Sequence, residues 1–165
     1  MLNIGDKLEY FELTLFDGST LTLAELADKS CLLFITCDDE CEHFIQYTER
    51  IRDLINNFYE DNVGFQLLYN PKIDASDIGK HFSNYPECEI INDTNWIFSR
   101  KLGASSIPEV FLFNSKRELV YKGRIDDAWD QPNLVTRVYL EDAIEFTLDG
   151  LEVDYPQTIP EGCLL

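Results

Sequence analysis

Five cysteines, at positions 31, 37, 41, 88 and 163, are the side chains of this 165-residue chain best suited to nucleophilic or redox chemistry. Their odd number and uneven spacing do not form the framework of a disulfide-stapled secreted domain. Cys41 is the leading nucleophile, because it falls where a strand pattern hands over to a helix pattern, and the free backbone N–H groups and dipole of a helix start favour a thiolate. His43 follows in Cys41-Glu42-His43-Phe44, and a protonated imidazole beside the sulfur would lower its pKa further. The carboxylates of Asp38, Asp39, Glu40 and Glu42 work the other way, since like charge disfavours a thiolate. The expectation is a reactive thiol that is not strongly acidified.

A disulfide requires two Cα atoms within about 7 Å, which makes Cys37, four residues before Cys41, the first candidate partner. Cys163 is the second, because the C-terminal stretch is long enough to fold back over the site. Cys31 and Cys88 lie in apolar strand runs and read as inert core residues. Cys37, Cys41 and His43 could supply thiolate and imidazole to zinc, but their spacing fits no common zinc motif, so the expected site holds no metal and no cofactor. Trp96 and Trp129 read as packing residues.

The elements that must position these groups follow from hydrophobic periodicity. Tyr10–Phe16 and Thr20–Leu23 flank Asp17-Gly18, the pattern of an N-terminal β-hairpin. Cys31–Thr36 is a short, wholly apolar or β-branched run suited to a strand buried on both faces. From Cys41 to about Tyr59, Phe44, Tyr47, Ile51, Leu54, Ile55 and Phe58 recur at helical spacing. Val63–Tyr69 reads as a strand, Ser76–Phe82 as a helix, Cys88–Ile91 as a strand and Trp96–Leu102 as a helix. Ile107-Pro108 breaks the chain before a strand at Glu109–Phe113, a hairpin returns through Glu118–Gly123, and a last helix spans about Leu134–Leu148. The organisation is one α/β domain over residues 1–150 and an irregular tail over 151–165.

A parallel β-α-β unit, then an antiparallel β-β-α unit with proline at its entrance, describes a thioredoxin-like fold: a central mixed sheet flanked by helices, here with the hairpin as an N-terminal extension. Gly5-Asp6, Phe16-Asp17-Gly18, Cys41 with Tyr47 six residues on, Ile107-Pro108-Glu109-Val110-Phe111, Leu119 to Asp127, Pro156-Gln157-Thr158 and Gly162-Cys163 resemble the redoxins. These are the alkyl hydroperoxide reductase and thiol-specific antioxidant relatives of thioredoxin, and the likeness is to a bacterial thioredoxin-like branch ending in Gly-Cys. The resemblance implies that Pro108 is the cis-proline facing the active cysteine, that Ile107 pairs its backbone with a bound substrate, and that Cys163 is a resolving thiol. The sequence departs from the thioredoxin pattern at Phe44, where a second cysteine would stand, and at Glu42, which replaces a proline common in the branch. The peroxiredoxin motif is absent, since its Thr and Pro positions hold Asp38 and Phe34.

Composition narrows the partners. With 31 Asp and Glu against 13 Lys and Arg, the formal charge of −18 repels nucleic-acid phosphates and anionic lipid heads. No apolar run approaches the roughly 20 residues of a membrane span, and Met1–Asp6 lacks a secretion signal's pattern. The expectation is a cytoplasmic thiol:disulfide oxidoreductase whose Cys41 attacks a protein or small-molecule disulfide, is resolved by Cys37 or Cys163, and draws electrons from a thiol system. The alternatives are a thiol peroxidase, in which peroxide oxidises Cys41, and a redox-inactive binding module on the same fold.

Overall fold

A computed structural model describes residues 1–72 and 77–165. Its strands are β1 (Glu12–Leu15), β2 (Thr20–Thr22), β3 (Cys31–Cys37), β4 (Val63–Tyr69), β5 (Cys88–Asn92), β6 (Ser106–Ile107), β7 (Val110–Phe113), β8 (Leu119–Gly123) and β9 (Cys163–Leu164), and its helices are α1 (Glu42–Asn57), α2 (Ile97–Leu102) and α3 (Tyr139–Leu148). Seven strands form one mixed sheet in the order β2-β1-β5-β4-β3-β7-β8. β3, β4 and β5 run parallel, while β7 pairs antiparallel to β3 and to β8, and β1 closes the other side antiparallel to β5.

Every residue of β3 and β4 is buried, as their continuous apolar runs require when both sheet faces are covered. Alternation splits these runs between two cores. Leu33, Ile35 and Cys37 meet Phe44, Tyr47 and Ile51 of α1 and Leu140, Ala143 and Ile144 of α3. Leu32 and Phe34 meet Leu8, Phe11, Phe98 and Leu102 on the opposite face. Phe34 sits edge-on to Phe11 and Phe113, a ring arrangement worth about 0.5–1.5 kcal/mol beyond burial alone.

Some boundaries differ from the periodicity. The last helix starts at Tyr139 rather than near Leu134, because Pro132 begins a separate 3-10 turn ending at Leu134 and residues 135–138 are not helical. The helix expected over Ser76–Phe82 starts outside the described residues, and its described part is 3-10 at Asp77 and over Lys80–Phe82 rather than α-helical. The tail is irregular over most of its length but is docked rather than separate. Lys122 donates its N–H to Pro156 and accepts that of Thr158, and Tyr121 Oη and the Arg124 N–H both meet Thr158 Oγ1. Gly123 permits this contact, since a Cβ there would lie 2.1 Å from Thr158 Oγ1. The tail then crosses to β6, where β9 pairs Cys163 with Ile107 and Leu164 with Ser106.

Candidate active site

β3 ends at Cys37, and the next three residues turn the chain into α1. Asp38 Oδ1 accepts the Glu40 N–H and the Asp38 carbonyl accepts the Cys41 N–H, so a single aspartate shapes the turn from both its side chain and its backbone. Cys41 is thereby placed as the N-cap of a 16-residue helix, with its carbonyl accepting the Ile45 N–H. Its sulfur sits where unpaired helical N–H groups and the helix dipole stabilise negative charge.

Across from it lies the loop of Ile107 and Pro108, whose joining peptide bond is cis. Thr36 holds this loop on both sides. Its hydroxyl donates to the Ser106 carbonyl at 2.7 Å and accepts the Glu109 N–H at 2.8 Å, with all of its surface buried. The result is that the Ile107 carbonyl oxygen stands 3.4 Å from Cys41 Sγ. In the reduced protein that oxygen is placed to accept the thiol proton.

Cys41 is bonded to Cys163, with Cα atoms 6.2 Å apart. Cys37, the first candidate partner from spacing, is instead a free thiol with 1% of its surface exposed, 3.3 Å from the Ile35 carbonyl. Strand alternation is the reason: as the last residue of β3, Cys37 points into the core packed by α1, whereas Cys41 sits beyond the turn. Burial, with Asp39 nearby, pushes the Cys37 thiol well above its ordinary pKa. Burial likewise pushes the free thiols of Cys31 and Cys88 up to about 12. Only Cys41 and Cys163 remain suited to exchange.

The acidic turn is engaged elsewhere. Asp38 and Glu40 both bind Lys72, at 3.1 and 2.7 Å, and Asp39 accepts from Tyr69 Oη and the Gly79 N–H. Lys72 thus supplies a counter-charge to two of the four carboxylates near Cys41.

His43 is half-buried, with Nδ1 4.0 Å from Cys163 Sγ and its ring stacked on Trp129 at 3.8 Å between centroids. Trp129 therefore packs against the core, as expected, and against His43 as well. Its loop is tied down from α1: Arg50 donates to the carbonyls of Ala128 and Trp129 and pairs with Asp126 at 2.7 Å, while Tyr47 Oη donates to the other Asp126 oxygen at 2.7 Å. Arg50, Thr36 and Trp129 were not singled out as site residues by spacing. Each acts across 70 or more residues of chain, a relationship that leaves no local pattern.

No protein-family profile matches this chain, and no curated protein matches it. Among solved structures, a hypothetical protein from Sinorhizobium meliloti is similar, with a TM-score of 0.84 at 23% identity, covering 99% of this chain and 94% of that one. An uncharacterized conserved protein from Geobacillus kaustophilus matches with a TM-score of 0.85 at 20% identity, covering 99% and 92%. A candidate thiol:disulfide interchange protein DsbE from Chlorobium tepidum matches with a TM-score of 0.65 at 15% identity, covering 91% and 98%. These likenesses, with the topology above, define a thioredoxin-like fold. On it, this chain places a cysteine at the start of α1, a cis-proline loop facing it, and a tail cysteine joined to it.

Proposed function

We propose that this protein is a thiol:disulfide oxidoreductase in which Cys41 is the nucleophile and Cys163 the resolving thiol. The observation that carries the reading is the disulfide between them, made at a helix start and beside the Ile107-Pro108 loop. In the reduced protein the Cys41 thiolate attacks one sulfur of a substrate disulfide, forming a mixed disulfide and releasing the other substrate sulfur as a thiolate that takes a proton. The Cys163 thiolate then attacks Cys41 Sγ. The Cys41–Cys163 bond forms, the mixed disulfide breaks, and the second substrate thiol leaves. A thiol system supplies two electrons to restore both thiols, and the compartment proposed for the cycle is the cytoplasm.

The tail fits this role because its anchors lie just upstream of the resolving sulfur. Thr158 is fixed on β8, and Glu161 pairs with Arg124, so Cys163 stays near Cys41 when their bond is open. The β6–β9 pairing is only two residues long, so a substrate segment can displace it from the Ile107 edge and the tail can return to resolve the intermediate.

The test is steady-state reduction of insulin and glutathione disulfides by wild type and Cys41→Ser, with a phosphine or dithiol as electron source. Loss of turnover in Cys41→Ser supports the reading, and equal rates remove Cys41 from the mechanism. Consumption of hydrogen peroxide in a coupled assay, without disulfide reduction, would favour a peroxidase instead.

A further inference from the structure

Cys41 Sγ, Cys163 Sγ and a ring nitrogen of His43 lie within 4.8 Å of one another. Spacing along the chain did not suggest this set, because one member arrives from the tail, 122 residues after Cys41. While the two sulfurs are bonded they cannot both act as thiolate ligands. Reduction frees them to move apart by side-chain rotation. We infer that in the reduced protein Cys41, Cys163 and His43 form a binding site for one zinc ion, with a solvent-filled fourth position.

Dimensions favour this. Zn–S distances of about 2.3 Å and Zn–N distances of about 2.0 Å in a tetrahedral site place the ligand atoms about 3.5–3.8 Å apart. Cys163 Sγ is already 4.0 Å from His43 Nδ1, and the two sulfurs, 2.02 Å apart when bonded, need only open to that spacing. Ligand softness favours it too, since two thiolates and an imidazole suit zinc better than calcium or magnesium.

The surroundings are those of a held ligand rather than a mobile surface histidine. The His43 ring is fixed by its stack on Trp129, and the Trp129 carbonyl is fixed by Arg50, itself paired with buried Asp126. The stack holds the ring in one orientation. Cys41 is buried, whereas Cys163 and His43 are half-buried, which leaves an approach for the ion from solvent. The formal charge of −18 attracts a divalent cation to the surface at large.

Binding releases two protons as the two thiols become zinc thiolates. Zinc and the disulfide are mutually exclusive, so the ion would hold the pair reduced and shield Cys41 from substrates. This inference uses the same site as the proposed exchange reaction but stands apart from it: zinc binding needs no disulfide substrate, and exchange needs no zinc.

The test is a zinc titration of the full chain against a chromogenic indicator, after reduction with a non-chelating phosphine and anaerobic desalting, beside the oxidised chain. The expected result is one equivalent bound by the reduced protein and none by the oxidised form in the same indicator. Cys163→Ser and His43→Ala should each weaken binding at least about tenfold. Zinc should also slow alkylation of Cys41 and Cys163 in a peptide map. Equal binding by reduced and oxidised wild type, which needs no variant to interpret, would overturn the inference and assign the ions to surface carboxylates. Affinity at the wild-type level in either variant would overturn it as well.

Discussion

The backbone of Cys163 pairs antiparallel with that of Ile107, the residue before the cis proline, while its sulfur is bonded to Cys41 on the facing helix start. The tail thus occupies the backbone edge beside Pro108, the edge assigned to a substrate segment in the proposed function. A strand pairing and a covalent bond meet at one residue and fix the tail beside Cys41.

Gly162 sets how closely the tail can approach. A Cβ at this residue would lie 2.0 Å from the Ile107 carbonyl oxygen and 2.6 Å from its carbon, both backbone atoms that cannot swing aside. Gly162→Ala should displace Cys163 and slow formation of the Cys41–Cys163 bond about ten- to a hundredfold, because misplacement of reacting atoms by an ångström has effects of that size. Quenched-flow alkylation after addition of oxidant measures the rate. The urea midpoint of the reduced variant should stay near that of reduced wild type.

The five cysteines fall into two groups by place: Cys41 and Cys163 are joined at the start of α1, whereas Cys31, Cys37 and Cys88 are free thiols in strands of the central sheet. In the reduced native protein at neutral pH, iodoacetamide should label Cys41 and Cys163, while Cys31 and Cys88, pushed up to about 12, and Cys37, pushed up further by burial, react only after unfolding. Mass-spectrometric peptide mapping with and without urea checks this. Labelling of Cys37 ahead of Cys163 would argue against the tail as the resolving arm.

Much of the fold was legible because it rests on periodicity. The alternation of apolar faces, the helical stripe from Phe44 to Phe58 and the break at Pro108 each act within a few residues. The position of Cys41 followed from the same local logic. Its partner did not: tail length and the Gly162-Cys163 resemblance offered Cys163 only as the second candidate, behind Cys37. Four residues separate Cys37 from Cys41, but strand alternation turns the Cys37 side chain into the core, whereas Cys163 reaches the site through contacts at Thr158, Gly162 and Ile107 that only tertiary packing creates. The stack of Trp129 on His43 is of the same kind, since it depends on how Arg50 holds a loop almost 80 residues away.

Asp126 is buried and satisfied by Tyr47, Arg50 and the Ala128 N–H. Asp126→Ala leaves the Arg50 guanidinium short of its counter-charge in a mostly buried setting, and should cost about 3 kcal/mol in urea unfolding. It should also release the Trp129 loop and alter the near-ultraviolet circular dichroism of that indole. The Arg124–Glu161 pair is more exposed, and Glu161→Ala should cost no more than about 1 kcal/mol.

Glu109, next to Pro108, has its pKa raised by burial, an effect partly offset by the Ser105 N–H it accepts. Its folded pKa lies above its unfolded one, so between the two the native state binds more protons, and stability falls as pH rises through that window. Glu109→Gln keeps an acceptor for Ser105 without the charge. It should be more stable than wild type at pH 7, and that advantage should fade below about pH 4, where both side chains are neutral. Urea midpoints measured from pH 3.5 to 7 test the trend.

The most direct test of the central claim is a stoichiometric reaction of the reduced chain with an aromatic disulfide that releases a coloured thiol, followed by peptide mapping. Wild type should release two coloured thiols per chain and finish with Cys41 bonded to Cys163. Cys163→Ser should release one and stop as a mixed disulfide on Cys41. Two thiols released by Cys163→Ser with a Cys37–Cys41 bond, or no adduct at Cys41 in either protein, would contradict the account.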